Sequence, residues 1–149
     1  MEGKLLIQNG RVLPMTGKVI PKGSVLVENG KITAVAERIE VPDTGSTEII
    51  DASGCLVMPG LIEAHCHVGI TEEKKGMEGD DCNENVSPVT PWLRAIDPVN
   101  TMDAAFDDAV RAGITSIMAG PGSSNVVGGQ FAFIKTKGRR IDDLIVKAP

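Results

Sequence analysis

The sequence has no tyrosine, one tryptophan and three phenylalanines among its 149 residues. A hydrophobic core must therefore be built from aliphatic side chains. Hydrophobic residues make up 42% of the chain and charged residues 23%, both near the averages of globular proteins. This composition excludes a disordered chain and a collagen-like repeat, and the length suits one domain of ordinary size with a modest core.

Positive charge is also scarce. The net charge is −5, and the only tight basic cluster lies at residues 135–140, directly before Asp142 and Asp143. Nucleic-acid binding requires a basic face. We therefore expect no nucleic-acid partner and interpret the cluster as a solvated turn.

Signals for export or membrane insertion are missing too. The three cysteines (Cys55, Cys66 and Cys82) form no CxxC pair, and "MEGKLLIQNG" at the start lacks the apolar run of a signal peptide. No stretch approaches the roughly 18 apolar residues of a membrane-spanning helix. The sequence predicts a soluble cytoplasmic protein with reduced thiols and no membrane partner.

Residues 1–58 have the pattern of β structure. Asn-Gly pairs at 9–10 and 29–30 each separate two β-prone runs, which predicts two hairpins with type I′ turns. The run "TEIIDASGCLVMP" adds strands around residues 49–50 and 55–58. We expect a small antiparallel sheet or part of a β-sandwich.

Residues 59–149 have the pattern of an α/β unit. A short apolar strand at residues 61–67 is followed by the helical stretch "NTMDAAFDDAVRAG" and a buried-type strand at 114–119. Asn100 or Thr101 is the expected N-cap, and Gly113 suits the position after the helix. The expected apolar stripe of the helix is Met102, Phe106, Ala109 and Val110.

Strand, helix and strand in this order predict a βαβ unit with a parallel strand pair and a right-handed crossover. Parallel sheets are buried on both faces, so this unit requires further partners. Two more short strands are expected at residues 131–135 and 144–147.

The loop at residues 68–99 has no clear periodicity and contains the only tryptophan, Trp92. It follows the C-terminal end of a parallel strand, where α/β enzymes place their chemistry. We interpret it as an active-site loop, with a solvated insertion as the alternative. Its carboxylates either meet a cationic substrate or form a solvated face; they are Glu78, Asp80, Asp81 and Glu84.

A glycine-rich loop, "GPGSSNVVGGQ", follows the second parallel strand. It lacks the lysine of a phosphate-binding loop, so a nucleotide site is not indicated. Its glycines either let backbone approach a ligand or only permit tight turns. The candidate substrate-binding residues from both loops are Glu78, Asp80, Asp81, Trp92, Gly129 and Gln130.

The two histidines of the chain, His65 and His67, lie two residues apart at the end of the first parallel strand. Alternate residues of a strand share a face about 6.5–7 Å apart, so both imidazoles can approach one cation. Cys66 should point to the opposite face and pack as a small apolar residue. Two histidines without a metal are the alternative.

The stretch "DASGCLVMPGLIEAHCHVG" resembles the barrel entry of the metal-dependent amidohydrolase superfamily. The strands before it resemble that family's N-terminal β-sandwich, and "AGITSIMAGPGSSNVVGGQFAFIKT" resembles the branch related to imidazolonepropionase. The resemblance implies an α/β fold: the N-terminal part of a (β/α)8 TIM barrel at residues 59–149, preceded by part of a β-sandwich at 1–58.

The resemblance also implies chemistry. His65 and His67 match the family's first two metal ligands, and the divalent metal, usually zinc, activates a water that attacks a carbonyl or imine carbon of a small-molecule substrate. The remaining ligands come from later strands, so the catalytic residues are expected beyond Pro149. We therefore expect an N-terminal fragment of a hydrolase that is inactive and poorly stable by itself.

The loop after His67 departs from the motifs of imidazolonepropionase, so imidazolone propionate is not the expected substrate. Cyclic amides, N-acyl groups, dipeptides and deamination of heterocycles remain open, as does a homo-oligomer of the intact protein. Two other functions stay open: a non-catalytic scaffold of the same fold, and a β-rich binding module in which the HxH motif is incidental.

Overall fold

The computed structural model describes residues 3–41, 47–73 and 75–149. The chain divides into two compact units, Met1–Pro59 and Gly60–Pro149. Among the described residues, no helix is long and apolar enough to cross a membrane.

The first unit is one five-stranded sheet. Its strands are β1 (Lys4–Val12), β2 (Ile20–Glu28), β3 (Lys31–Ala36), β4 (Thr47–Asp51) and β5 (Leu56–Val57). The order is β3-β2-β1-β4, with β5 also paired to β1. Neighbours β1, β2 and β3 run antiparallel, but β4 and β5 both run parallel to β1. The prediction of an antiparallel sheet was therefore wrong for the last two strands.

The two Asn-Gly pairs behave differently. Asn29 and Gly30 have φ angles of 50° and 76° and join β2 to β3, which confirms that hairpin and fits a type I′ turn. Asn9 also has a positive φ, 64°, but it lies inside β1 at a register irregularity opposite β2. The hairpin predicted at Asn9-Gly10 was wrong, because the positive φ serves a bulge.

The second unit contains a four-stranded sheet in the order β6-β7-β8-β9. Its elements are β6 (Leu61–Cys66), a 3₁₀ helix (Gly76–Gly79), α1 (Ala104–Arg111), β7 (Ile114–Ala119), β8 (Ala132–Lys135), α2 (Ile141–Leu144) and β9 (Ile145–Lys147). The pair β6 and β7 is parallel, with α1 in the connection, which confirms the βαβ unit. Strands β8 and β9 continue the sheet in antiparallel pairing.

Helix α1 begins after Asp103, whose buried side chain accepts from the N–H of Ala105 at 3.3 Å. The N-cap prediction at Asn100 or Thr101 was wrong because the chain makes a turn first, in which Asn100 Oδ1 accepts from the N–H of Met102 at 3.0 Å. Met102 accordingly lies outside the helix and is 66% exposed, so its place in the apolar stripe was also wrong.

The remaining helix predictions agree with the structure. Phe106 is the buried residue of α1, with 3% of its surface exposed. Gly113 has a φ of 82° directly after the C-cap Ala112, and its N–H donates to the carbonyl of Val110 at 3.0 Å. A left-handed glycine at this position ends the helix and lets β7 begin at once.

The core of the second unit draws on the long loop as well as on the regular elements. Four of its buried residues come from residues 68–99: Ile70, Cys82, Ala95 and Val99. They pack with Phe106 of α1 and with buried residues of β7 and β8, such as Ile117 and Ile134. The loop is thus anchored at several points along its length.

Candidate functional site

His65 and His67 lie at the C-terminal end of β6, where that strand pairs with β7. Cys66 is paired with Ala119, and the N–H of Gly120 donates to the carbonyl of Cys66 at 3.1 Å. His65 is exposed and His67 is half-buried. Both imidazoles therefore stand at the edge of the sheet where parallel strands end, which is the edge that carries ligands in α/β proteins.

The two imidazole rings have the spacing of ligands that share a cation. Their centroids lie 5.5 Å apart and their planes are inclined by 83°. For Zn–N distances of about 2.0–2.1 Å and tetrahedral angles, two imidazoles on one ion have centroids roughly 5 Å apart. The donor set at the end of β6 therefore fits a divalent metal.

The orientation of the His67 ring is set by a backbone carbonyl. Nδ1 lies 2.7 Å from the carbonyl oxygen of Gly120. Since a carbonyl only accepts, Nδ1 carries the proton and the lone pair is on Nε2. Metal-binding histidines are commonly held by such a second hydrogen bond, which fixes both the tautomer and the direction of the ring.

Cys66, between the two histidines, packs against the hydrophobic core of the second unit. Its Sγ lies 3.7 Å from the carbonyl oxygen of Met118. Burial is the main reason that the pKa of the thiol is raised. A thiol that packs into the core does not face the two imidazoles, which agrees with the expectation that Cys66 points away from the histidines.

Two residues that lie beside the candidate ligands, Phe131 and Gly120, were not predicted from the sequence. The ring of Phe131 lies 5.2 Å from that of His65, centroid to centroid. Gly120 has no room for a side chain, since a Cβ there would overlap the ring of Phe131. The signal that could have indicated this is a glycine at the end of a buried strand, where close approach of another group is common.

Within residues 3–41, 47–73 and 75–149, no group of three or more His, Cys, Asp or Glu side chains is arranged to hold a metal ion. The described chain thus offers two imidazoles for a metal. A catalytic zinc usually has three protein ligands.

Two of the predicted substrate-binding residues, Asp81 and Gly129, line a common cavity of about 340 Å³. Glu84 also lines it, as does Arg94, whose guanidinium forms two hydrogen bonds to Asp97 at 2.7 and 3.1 Å. This ion pair raises the pKa of Arg94. Neither histidine is among the described residues that line the cavity.

The other predicted substrate-binding residues lie outside this cavity. Glu78 is exposed in the 3₁₀ helix, and Trp92 is 66% exposed. Asp80 has a local role, because its Oδ1 accepts from the N–H of Cys82 at 3.1 Å. The substrate-binding assignment of all six residues stays a prediction.

Gln130 joins the two loops that follow β6 and β7. Its backbone N–H donates to the carbonyl of Leu93 at 2.7 Å, and its carbonyl accepts from the N–H of Ala95 at 2.9 Å. Its side-chain Nε2 donates to the carbonyl of Pro91 at 2.7 Å. A further backbone bond, 2.8 Å long, runs from the N–H of Thr90 to the carbonyl of Val127. The glycine-rich loop is thus hydrogen-bonded to the long loop along its edge.

Comparison with known proteins gives a consistent set of relatives. No protein-family model matches the chain. Amidohydrolase tasK from Hapsidospora irregularis is 36% identical over 115 residues, which are 76% of this chain and 12% of that protein. An allantoinase from Enterococcus faecalis is 40% identical over 112 residues, 72% of this chain and 23% of the relative.

A 5-methylthioadenosine/S-adenosylhomocysteine deaminase from Symbiobacterium thermophilum is 46% identical over 70 residues, 46% of this chain and 16% of the relative. The crystal structure of an amidohydrolase from Thermotoga maritima MSB8 superposes with a TM-score of 0.86 at 42% identity, covering 96% of this chain and 36% of that one. These findings support the assignment of this chain to the amidohydrolase superfamily.

The amidohydrolase relatives are longer than this chain. It spans 12% to 23% of the length of the three curated relatives and about a third of the solved structure. The relatives are hydrolases that act on C–N bonds, which is the class of enzyme expected from the sequence. The match to the solved amidohydrolase extends over both compact units, because it includes nearly the whole chain.

Proposed function

We propose that this chain is part of a metal-dependent amidohydrolase that cleaves a non-peptide or dipeptide C–N bond of a small molecule. The observation that carries the proposal is the pair of imidazoles at the end of β6, 5.5 Å apart, with Nδ1 of His67 hydrogen-bonded to the carbonyl of Gly120. The likeness to the Thermotoga maritima amidohydrolase supports it independently.

In this proposal His65 and His67 hold a divalent metal, most consistent with zinc because both donors are neutral imidazoles. When bound, such a cation supplies Lewis acidity toward water and toward a carbonyl oxygen. The residues of this chain supply orientation: Gly120 fixes the tautomer of His67, and the pairing of Cys66 with Ala119 fixes the backbone between the two histidines. The remaining ligand and the general acid or base are not assigned to this chain.

The proposed fold of the whole protein is a (β/α)8 barrel with an accompanying β-sandwich. The parallel pair of β6 and β7, connected through α1, is the repeating unit of such a barrel. On β6, Leu61 and Ile62 are 50% and 62% exposed, although apolar side chains of barrel strands are normally covered. A neighbouring strand and further helices would bury them.

The substrate class follows the names of the relatives, which include an allantoinase and a deaminase. We place hydrolysis of a cyclic amide first, because the allantoinase match extends over 112 residues and the deaminase match over 70. A finer relation to the imidazolonepropionase branch is supported only by residues 112–136 of the sequence. A cytoplasmic location belongs to the same proposal.

Metal analysis tests the ligand assignment. We would load the wild type, His65→Ala, His67→Ala and the double variant with Zn²⁺, dialyse them side by side and measure the retained zinc. The double variant is expected to lose the zinc that the wild type keeps, and Cys66→Ala, which lies between the ligands but faces the core, should match the wild type. Equal zinc in wild type and double variant would refute the assignment.

Activity then separates the enzyme from a scaffold of the same fold. Allantoin and 5-methylthioadenosine, named in two relatives, would be offered to the longest available form of the protein with and without zinc. Zinc-dependent release of product supports the enzyme. If a form that holds zinc through at least three protein ligands turns over no cyclic amide, N-acyl compound, dipeptide or heterocyclic amine, the scaffold is favoured.

A further inference from the structure

We propose that Gly120 and Phe131 together position both candidate metal ligands: the carbonyl of Gly120 orients the His67 ring, and its missing Cβ lets Phe131 hold the ring of His65. The inference rests on the proposed function for its link to metal binding. It adds two positioning residues, neither of which needs to touch the substrate or the metal.

The strand register brings the parts together in adjacent rows of the sheet. Cys66 of β6 is paired with Ala119 of β7, and Ala119 is paired with Ala132 of β8. The next position of the antiparallel ladder after that pair is Gly120 opposite Phe131. Gly120 therefore lies between the strand end that carries the histidines and the residue that carries the aromatic ring.

The absence of a side chain at Gly120 is what allows Phe131 to reach His65. In a sheet of regular spacing the two residues are separated by the width of the strand between them, about 10 Å for two steps of roughly 4.8 Å. The rings are nevertheless 5.2 Å apart, and the space that a Cβ of Gly120 would occupy is filled by the Phe131 ring. A cross-strand aromatic side chain is a known way to cover a glycine.

The same glycine acts on the second ligand through its backbone. Its carbonyl oxygen lies 2.7 Å from Nδ1 of His67, while its N–H donates to the carbonyl of Cys66 at 3.1 Å. The N–H and the carbonyl of Gly120 therefore both form hydrogen bonds with the HxH segment. A shift of Gly120 would move the hydrogen bond of His67 and the ring contact of His65 at the same time.

His65 needs such a contact more than His67 does. It is exposed, and the imidazole has no hydrogen-bond partner among the described residues. Ring packing against Phe131, at an interplanar angle of 48°, is the described contact that restricts its rotamer besides the His67 ring itself. Groups that hold metal ligands in place typically change metal affinity by about 10- to 100-fold when they are removed.

The test combines a spectroscopic and a binding measurement on the metal-free and Zn²⁺-loaded chain. In the wild type we expect a nuclear Overhauser cross-peak between ring protons of Phe131 and His65, and ¹⁵N shifts of His67 that report a proton on Nδ1. Phe131→Leu and Gly120→Ala should remove the cross-peak and weaken Zn²⁺ binding about tenfold. Phe131→Tyr keeps the ring and should keep both.

Gly128→Ala is the matched glycine control, because a Cβ there meets only ordinary contacts at 3.7 Å. If Gly120→Ala fails to fold, Phe131→Leu compared with Phe131→Tyr decides the question. A missing cross-peak in the wild type, or wild-type zinc affinity in folded Phe131→Leu, would overturn the positioning role. Unchanged affinity in His65→Ala would instead overturn the ligand assignment, and the cross-peak still decides whether Phe131 holds the His65 ring.

Discussion

The side chain of Asp103 accepts from the backbone N–H of Glu73 with both carboxylate oxygens, each at 3.1 Å. Asp103 also caps α1 through the N–H of Ala105 and is 6% exposed. One carboxylate thus connects the loop that follows the histidines with the first turn of the crossover helix. An Asp at an N-cap also faces the positive end of the helix dipole, so its negative charge stabilises the helix.

Replacing Asp103 with Ala should destabilise the second unit by about 2 kcal/mol. An N-cap alone contributes about 1 kcal/mol, and the loss of both hydrogen bonds from the N–H of Glu73 adds a net cost of about 1 kcal/mol. Urea unfolding followed by circular dichroism measures the difference. Asp107→Ala, which removes an exposed carboxylate from the same helix, should stay within about 0.5 kcal/mol of the wild type. Equal losses for both variants would contradict the prediction.

Gly10 should not tolerate a side chain. Its Cβ would lie 2.5 Å from Cγ2 of Val57 and 3.1 Å from Cβ of Ala52, so Gly10→Ala overpacks the junction of β1 with β5. The expected loss of stability is about 1–3 kcal/mol, measured as a shift of the urea midpoint. Gly17→Ala, which meets nothing within 4 Å, is the control. The double variant Gly10→Ala/Val57→Ala should recover part of the loss; no recovery would show that the clash is not with Val57.

The link between Glu72 and Asn100 should make stability depend on pH in the acid range. The hydrogen bond from Asn100 Nδ2, 2.6 Å long, and then Lys75 lower the pKa of Glu72 below its ordinary value of 4.5. A lowered carboxylate pKa in the folded state adds stability above the unfolded value. That stability is lost as the pH falls through the folded pKa.

Urea midpoints measured from pH 7 down to pH 3 check this. Glu72→Gln should lose less stability below pH 4.5 than the wild type does. Asn100→Ala should likewise make the free energy of unfolding less dependent on pH in this range. A parallel course of the wild type and Glu72→Gln over the whole range would show that another group controls the acid limit.

The 149-residue chain is expected to show no zinc-dependent turnover. Its described residues bring two imidazoles together, whereas a catalytic zinc usually takes three protein ligands. The measurement is product release from allantoin with increasing Zn²⁺, with the His65→Ala/His67→Ala variant as the background. Turnover that rises with zinc in the wild type alone would mean that these residues complete the site.

Local sequence signals predicted the elements well where one residue has one role. Gly113 ends α1 and Asn29-Gly30 closes a hairpin, as the sequence indicates. Asn9-Gly10 has the same letters, but β4 and β5 pair with β1 beside it, and this long-range pairing turns the signal into a bulge. Strand direction in the first unit was missed for the same reason, because no local pattern encodes a parallel partner.

The placement of the two histidines was predictable from the sequence, whereas the residues around them were not. The HxH spacing alone indicates two imidazoles on one face, and the structure has their rings 5.5 Å apart. The roles of Gly120 and Phe131 depend on the register of three strands, which is a tertiary property. The predicted loop residues divide between the cavity, with Asp81 and Gly129, and positions elsewhere, because an aperiodic loop gives no direction for its side chains.

The hydrogen bonds that Gln130 forms with Pro91, Leu93 and Ala95 have a consequence for engineering. Loops on a rigid scaffold vary more readily than the elements they connect, so a single loop is a natural unit to exchange. Here a transplanted 68–99 segment would arrive without its hydrogen-bonding counterpart, and so would a transplanted 120–130 segment. The two segments therefore have to be exchanged together. A chimera that receives both should keep its fold, whereas a chimera that receives only one should lose it.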